Sequence, residues 1–249
     1  EIFDLRDHGS KKDSPGWKVR VVPNKYNALE IEKNPVRDFD GIFESMDGCG
    51  AHEVIIDTPK FPSKFEDLSV EEVSSILFTA RERVNDLQRD FRIRYISVFK
   101  NQGALAGASI SHPHTQIIAL PIIPKNILTE IESCRNHYQK TSRSLVCDLA
   151  ISEIRAKVRV VEDDDNFVSF CPYASFWPFE VNICPKKTVK DFTALDEGSI
   201  FELSRILLSS VKRISMALKG VSFNIFLKTM PPKREDVDRN FYYKMDEFY

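Results

Sequence analysis

Two imidazoles and a carboxamide stand at alternate positions in Ser111-His112-Pro113-His114-Thr115-Gln116, and the run continues as Ile117-Ile118-Ala119-Leu120. In an extended chain successive side chains point to opposite faces, so His112, His114 and Gln116 are expected on one wall and Thr115 and Ile117 on the other. A neutral imidazole on such a wall can attack an electrophilic phosphorus, forming a phosphoramidate and dividing one difficult transfer into two easier ones. Its ordinary pKa of about 6.5 leaves neutral form available at pH 7, provided that an acceptor on the second nitrogen fixes the tautomer. Gln116 and the upstream Ser109 can donate to phosphoryl oxygens as charge redistributes. Between Asn101 and Ser109 the run Gly103-Ala104-Leu105-Ala106-Gly107-Ala108 permits close backbone approach, which suits a loop whose N–H groups face phosphate. On residue type alone an H-x-H pair also serves as a metal site or hydrogen-bonds within a polar core.

The elements that must position this wall repeat. His52–Asp57 and Phe179–Cys184 are apolar strand candidates, and laying Glu53 on Glu180 sets an offset of 127. The same offset pairs Phe65 with Phe192, Leu68 with Leu195, and the helix-capping candidates Ser69 and Asp196. Apolar residues at three- and four-residue steps then predict a helix from Val70 to Leu87 and another from Ile200 to Leu218 before Gly220. Finally it lays Ile96–Phe99 on Phe223–Phe226. A helix is expected within Ile122–Thr141, and short strands at Val158–Val161 and Phe167–Phe170 flank an acidic turn, Glu162–Asp165. The reading is an internal duplication of α+β class, an antiparallel sheet with helices packed on it, with halves at 1–121 and 122–249. His112 and His114 fall on Arg239 and Phe241 in the second copy, so the pair is not a demand of the fold.

Composition narrows the partners. The 249 residues carry 35 basic and 37 acidic side chains, a net charge of −2, so no global field draws the chain to nucleic acid or an anionic membrane. The five cysteines, at 49, 134, 147, 171 and 184, form no C-x-x-C pair and no even framework, which points to a reducing cytoplasm. No apolar run reaches 18 residues, and Glu1-Ile2-Phe3-Asp4-Leu5-Arg6 is no signal peptide. The chain begins without Met and stops in Phe241-Tyr242-Tyr243-Lys244-Met245, so missing segments are expected at both ends.

Gly107-Ala108-Ser109 followed by His112-Pro113-His114-Thr115-Gln116 resembles the active-site signature of the galactose-1-phosphate uridylyltransferase family, in the histidine-triad superfamily. The resemblance runs from about Trp17 to about Met230 and takes in Gly48–Glu53 and Phe176–Val181. It implies duplicated histidine-triad-like units and a ping-pong nucleotidyl transfer in which His114 becomes nucleotidylated. Gln116 would bond the phosphoryl group and Ser109 the phosphates. Asn101, Gly107 and Ala108 would line the nucleotide, as would Arg20 and Asn24 in Val19–Asn24, although a solvated Arg and a turn-forming Asn account for the last two equally well. It also implies a homodimer and a zinc site, but of the usual ligands only His112 remains, Phe61 stands where another histidine is expected, and no C-x-x-C pair is present. Lys228 stands where relatives place a second-half histidine. The default activity is transfer of UMP from UDP-glucose to galactose 1-phosphate. An ADP-sugar phosphorylase is the alternative suggested by Asn101-Gln102-Gly103 and Ala108-Ser109-Ile110-Ser111-His112. A non-catalytic nucleotide-sugar-binding protein and a nucleotide hydrolase are the remaining readings.

Overall fold

The computed structural model describes residues 1–234 as two units, each built on its own antiparallel sheet. The first unit comprises Glu1–Ser63, Phe78–Pro124 and the described part of the segment from Ser222. Its strands are β1 (Phe3–Arg6), β2 (Trp17–Pro23), β3 (Arg37–Asp40), β4 (Phe43–Met46), β5 (Ala51–Ile56), β6 (Tyr95–Gln102), β7 (His114–Leu120) and β11 (Phe223–Leu227). Six of them form one sheet in the order β1-β2-β5-β7-β6-β11, and β3 and β4 form a separate hairpin.

Register gives this sheet two unlike faces. Glu53 on β5 pairs with Ile117 on β7, which pairs with Val98 on β6, and Ile55 stands between Val21 and Thr115. These side chains are buried. Glu53 is reached here by Arg83, from the helix α1 (Val70–Leu87), through bonds of 2.7 and 2.8 Å. Burial works against the guanidinium charge, yet the hydrogen bonds to Glu53 and its charge raise the Arg83 pKa. The other face carries Val54, Gln116 and Phe99 in one row, and Arg20, Ile56 and His114 in the next. Polar side chains thus collect on the face opposite the Glu53–Arg83 pair, as strand alternation requires.

Gly50, just before β5, has φ 139°, and a Cβ there would lie 2.0 Å from the Ala119 carbonyl oxygen at the end of β7. Backbone cannot yield as a flexible side chain can, so Gly50→Ala is expected to lower stability by about 2 kcal/mol or more. Urea unfolding checks this, and an unchanged midpoint would mean that the strand ends separate freely.

The second unit comprises Lys64–Leu77 and residues 125–221. It holds α2 (Lys125–Thr141), α3 (Leu145–Ala156), β8 (Val160–Asp163), β9 (Phe167–Phe170), β10 (Asn182–Pro185) and α4 (Glu197–Ala217), its sheet running β10-β9-β8. Ala150 on α3 packs with Val168 and Phe170 on β9.

The expected caps are made. Ser69 N–H donates to Glu72 Oε2 at 2.9 Å while Glu72 N–H donates to Ser69 Oγ at 3.2 Å, and Ser199 N–H donates to Asp196 Oδ1 at 2.7 Å. The offset of 127 recurs in the backbone: the 3-10 turns Phe65–Asp67 and Phe192–Ala194, the helices α1 and α4, and the strands β6 and β11 all correspond. The positions of Arg239 and Phe241 lie outside the described residues. The strand expected at Phe179–Cys184 starts later, at Asn182, because Phe179 has φ 61° and the Glu180 carboxylate accepts from the N–H groups of Phe176 and Trp177, closing a turn. Glu162 and Asp163, expected in a turn, end β8 instead. Since 222–234 rejoins the first unit and 64–77 belongs to the second, compactness does not follow the repeat. We retain 1–121 and 122–249 as the proposed halves of the duplication.

Candidate active site

His114 opens β7 with its side chain almost wholly buried. Its Nδ1 lies 2.9 Å from the carbonyl oxygen of His112. A carbonyl oxygen only accepts, so Nδ1 carries a proton, and in the neutral form of the ring Nε2 keeps its lone pair. That nitrogen has no hydrogen-bond partner among the described residues. Behind it, Lys100 on β6 donates from Nζ to the His114 carbonyl at 3.0 Å and to Asp57 Oδ2 at 2.7 Å, and both Lys100 and Asp57 are buried. The strand start is therefore held by its backbone, and Nε2 is the ring nitrogen left open to act on an electrophile.

Gln116 projects from the same face two residues on, beside Val54 and Phe99. Its Oε1 lies 3.0 Å from Nε2 of His52 on β5. The neighbouring Asn24 holds its own turn, its Oδ1 accepting from Tyr26 N–H at 2.9 Å, and its Nδ2 lies 3.0 Å from the same His52 nitrogen. Asn101, at the end of β6, accepts from Asn224 Nδ2 at 2.7 Å, and Asn224 also donates to the Ala106 carbonyl at 3.0 Å. This ties the Gly103–Gly107 loop to β11.

Several expected residues stand otherwise. His112 does not share the strand wall: it lies in a bend before β7, where its Nε2 donates to the Thr58 carbonyl at 2.7 Å and its ring stacks on Phe61 at 5.5 Å and 10°. The proline between the two histidines donates no N–H, so the regular ladder begins only at His114. The N–H groups of Ala106, Gly107 and Ala108 are engaged inside the loop, by the carbonyls of Gly103 and Ala104, so these three form no ready phosphate cradle. Ser109 is exposed beyond them, and its hydroxyl has no partner among the described residues. Arg20, in register with His114 through Ile56, is paired with Glu1 and Asp13 and lies 5.5 Å over the Trp17 ring.

Sequence reasoning missed His52 as a site residue, and also the Asp57–Lys100 pair. Strand parity puts His52 on the face of Val54 and Ile56, but only the register of β5 against β7 brings it to Gln116.

At His112, Nε2 donates to the Thr58 carbonyl and the ring stacks on Phe61, and among the described residues no three His, Cys, Asp or Glu side chains cluster.

In comparison with known proteins, residues 9–124 match the family model described as galactose-1-phosphate uridyl transferase, N-terminal domain. Among curated relatives, the chain is 32% identical to an ADP-glucose phosphorylase of Arabidopsis thaliana over 94% of its own length and 64% of that protein's. It is 25% identical to a galactose-1-phosphate uridylyltransferase of Thermotoga maritima, covering 90% of this chain and 70% of that one, and 30% identical to that of Streptomyces lividans, covering 73% and 52%. The crystal structure of the Arabidopsis ADP-glucose phosphorylase with bound ADP-glucose superposes with a TM-score of 0.83 at 28% identity, covering 99% of this chain and 73% of that one. The chain therefore resembles the galactose-1-phosphate uridylyltransferase family in both sequence and fold, and these relatives are enzymes. It spans about half to two thirds of the length of most of the curated relatives it matches. No described helix is long and apolar enough to cross a membrane.

Proposed function

We propose that this chain carries the nucleotidyl-transfer centre of a nucleotide-sugar nucleotidyltransferase, with His114 as the nucleophile. The observation that carries the reading is the Nδ1–H bond of His114 to the His112 carbonyl, which makes Nε2 the nitrogen that holds the lone pair whenever the ring is neutral. In the first half-reaction Nε2 attacks the α-phosphorus of a nucleotide sugar. The Nε2–P bond forms, the bridging P–O bond breaks, and the sugar phosphate departs with that electron pair. In the second, an acceptor phosphate oxygen attacks the same phosphorus, the N–P bond breaks and the imidazole is restored. Gln116 and Ser109 donate to the phosphoryl oxygens, while Asn24, Asn101, Gly107, Ala108 and Arg20 border the nucleotide.

Uridylyl transfer from UDP-glucose to galactose 1-phosphate is the default reading of the motif. Adenylyl transfer from ADP-glucose to phosphate is supported by the higher identity to the ADP-glucose phosphorylase than to the Thermotoga uridylyltransferase. The test incubates the protein with UDP-glucose or ADP-glucose, chased with galactose 1-phosphate, phosphate or buffer. Exchange of sugar phosphate from UDP-glucose supports the first reading, and release of ADP with phosphate the second. Release of UMP or AMP in buffer alone marks a hydrolase, and no turnover leaves a binding protein. The reading extends to a homodimer in a reducing cytoplasm, all five cysteines being free.

For the metal, we propose that His112 braces the Thr58–Phe61 turn through its hydrogen bond and ring stacking in place of coordination. Elemental analysis is expected to return less than stoichiometric zinc, and His112→Ala to lower the melting temperature with no metal released. Stoichiometric zinc lost in that variant overturns the proposal.

A further inference from the structure

Gln116 presents a carboxamide whose two ends do opposite things: the oxygen accepts and the –NH2 donates. Only the –NH2 end helps a phosphoryl group that gains negative charge. What turns it is decided at His52. Nδ1 of His52 lies 3.2 Å from the backbone N–H of Ala28, a group that only donates, so this nitrogen is the acceptor and is unprotonated. The ring proton is then on Nε2, where Gln116 Oε1 at 3.0 Å is its acceptor. With the oxygen taken up by His52, the –NH2 end of Gln116 is directed away from the imidazole.

The opposite tautomer would satisfy less. With the proton on Nδ1, Nε2 could accept from Asn24 Nδ2 at 3.0 Å, but the Ala28 N–H would face another donor and the Gln116 oxygen would face a lone pair. Turning the Asn24 amide instead would put its –NH2 against the Tyr26 N–H, which its oxygen now accepts. One arrangement meets two bonds and the other meets one, and each bond at stake is of the ordinary kind. The first leaves Asn24 Nδ2 as a donor beside the ring without a bond to it.

We propose that His52 is a positioning residue that sets the Gln116 carboxamide with its –NH2 toward the phosphoryl group, and couples that setting to the nucleotide-side turn at Asn24–Ala28 through its second nitrogen. The proposal rests on the nucleotidyl-transfer reading, so it is tested with and without turnover. Without turnover, nitrogen chemical shifts of the 15N-histidine-labelled protein report each tautomer: His52 is expected with its proton on Nε2 and His114 with its proton on Nδ1. A proton on Nδ1 of His52 overturns the proposal whatever the activity.

With turnover, single-turnover labelling of His114 from the nucleotide sugar that the parent protein uses is followed in His52→Phe, His52→Gln, Gln116→Ala and the double variant His52→Phe/Gln116→Ala. His52→Phe is expected to slow labelling by about tenfold to hundredfold with KM changed less than threefold, short of the full effect of removing an oriented donor. His52→Gln, whose amide donates from nearly the position of Nε2, should return to within about fivefold of the parent. The double variant should be no slower than Gln116→Ala alone, since both substitutions remove one donor. A His52→Phe rate within about twofold of the parent, or effects that multiply in the double variant, overturns the positioning role. Absence of labelling in the parent counts against the transferase reading alone, and the tautomer measurement then decides the proposal.

Discussion

His114→Ala is expected to abolish covalent labelling and lower turnover by about a thousandfold or more, the scale on which loss of a nucleophile is felt. The fold should survive. The bond from Lys100 reaches the backbone carbonyl of residue 114 and not its ring, and the ladder from Ile56 is backbone as well. A circular dichroism spectrum and melting temperature close to the parent's, together with loss of the one-nucleotide mass shift on the peptide containing position 114, are the expected pair of results. Activity within tenfold of the parent would remove the covalent intermediate from the mechanism.

Lys100→Met is expected to give the largest loss of stability. Asp57 is 1% exposed, its Oδ2 accepts from Lys100, and its Oδ1 has no partner. Without the ammonium a buried carboxylate stands uncompensated, which in comparable sites costs about 3–5 kcal/mol. For a chain of this size that is a fall of roughly 10 °C in the melting temperature. The loss belongs to the orphaned charge more than to the pair, so Asp57→Leu combined with Lys100→Met should recover most of it. If the double variant is as unstable as the single one, the bond to the His114 carbonyl is the larger contribution. Activity separates the two roles: the double variant should regain stability and remain slow, since the Nζ bond to that carbonyl is then lost.

Much of this was legible in the sequence because it is local. Ser69 and Glu72 announce the capping box of α1, the three- and four-residue steps set α1 and α4, and the repeat offset falls on the 3-10 turns residue for residue. His114 and Gln116 follow from strand parity. What escaped is what parity cannot carry. His112 lies one residue before Pro113 and leaves the wall because a strand cannot be regular through that position. The N–H groups of Gly107 and Ala108 looked available, but a glycine-rich run can close on itself as readily as on a phosphate. His52 meets Gln116 64 positions away, and Lys100 meets Asp57 43 away, pairings that exist only once β5, β6 and β7 are laid side by side. The helix α3 went unread because its signals, the Ser144 cap and the buried Ala150 and Glu153, are few in 12 residues.

The bond from Asn224 to Asn101 joins positions 123 apart in the chain, since β11 completes the sheet beside β6 only after the intervening residues, 125–221 of the second unit among them, have been made. On the ribosome, at about 5–20 residues per second, β6 therefore waits on the order of ten seconds with one row of N–H and C=O groups unpaired. An open edge of this kind is a template for pairing with other nascent chains. Yield in cells should thus depend on elongation rate and on chaperones that shield strand edges. Slowed translation between residues 103 and 222 should increase aggregation without changing the stability of the protein once it is folded.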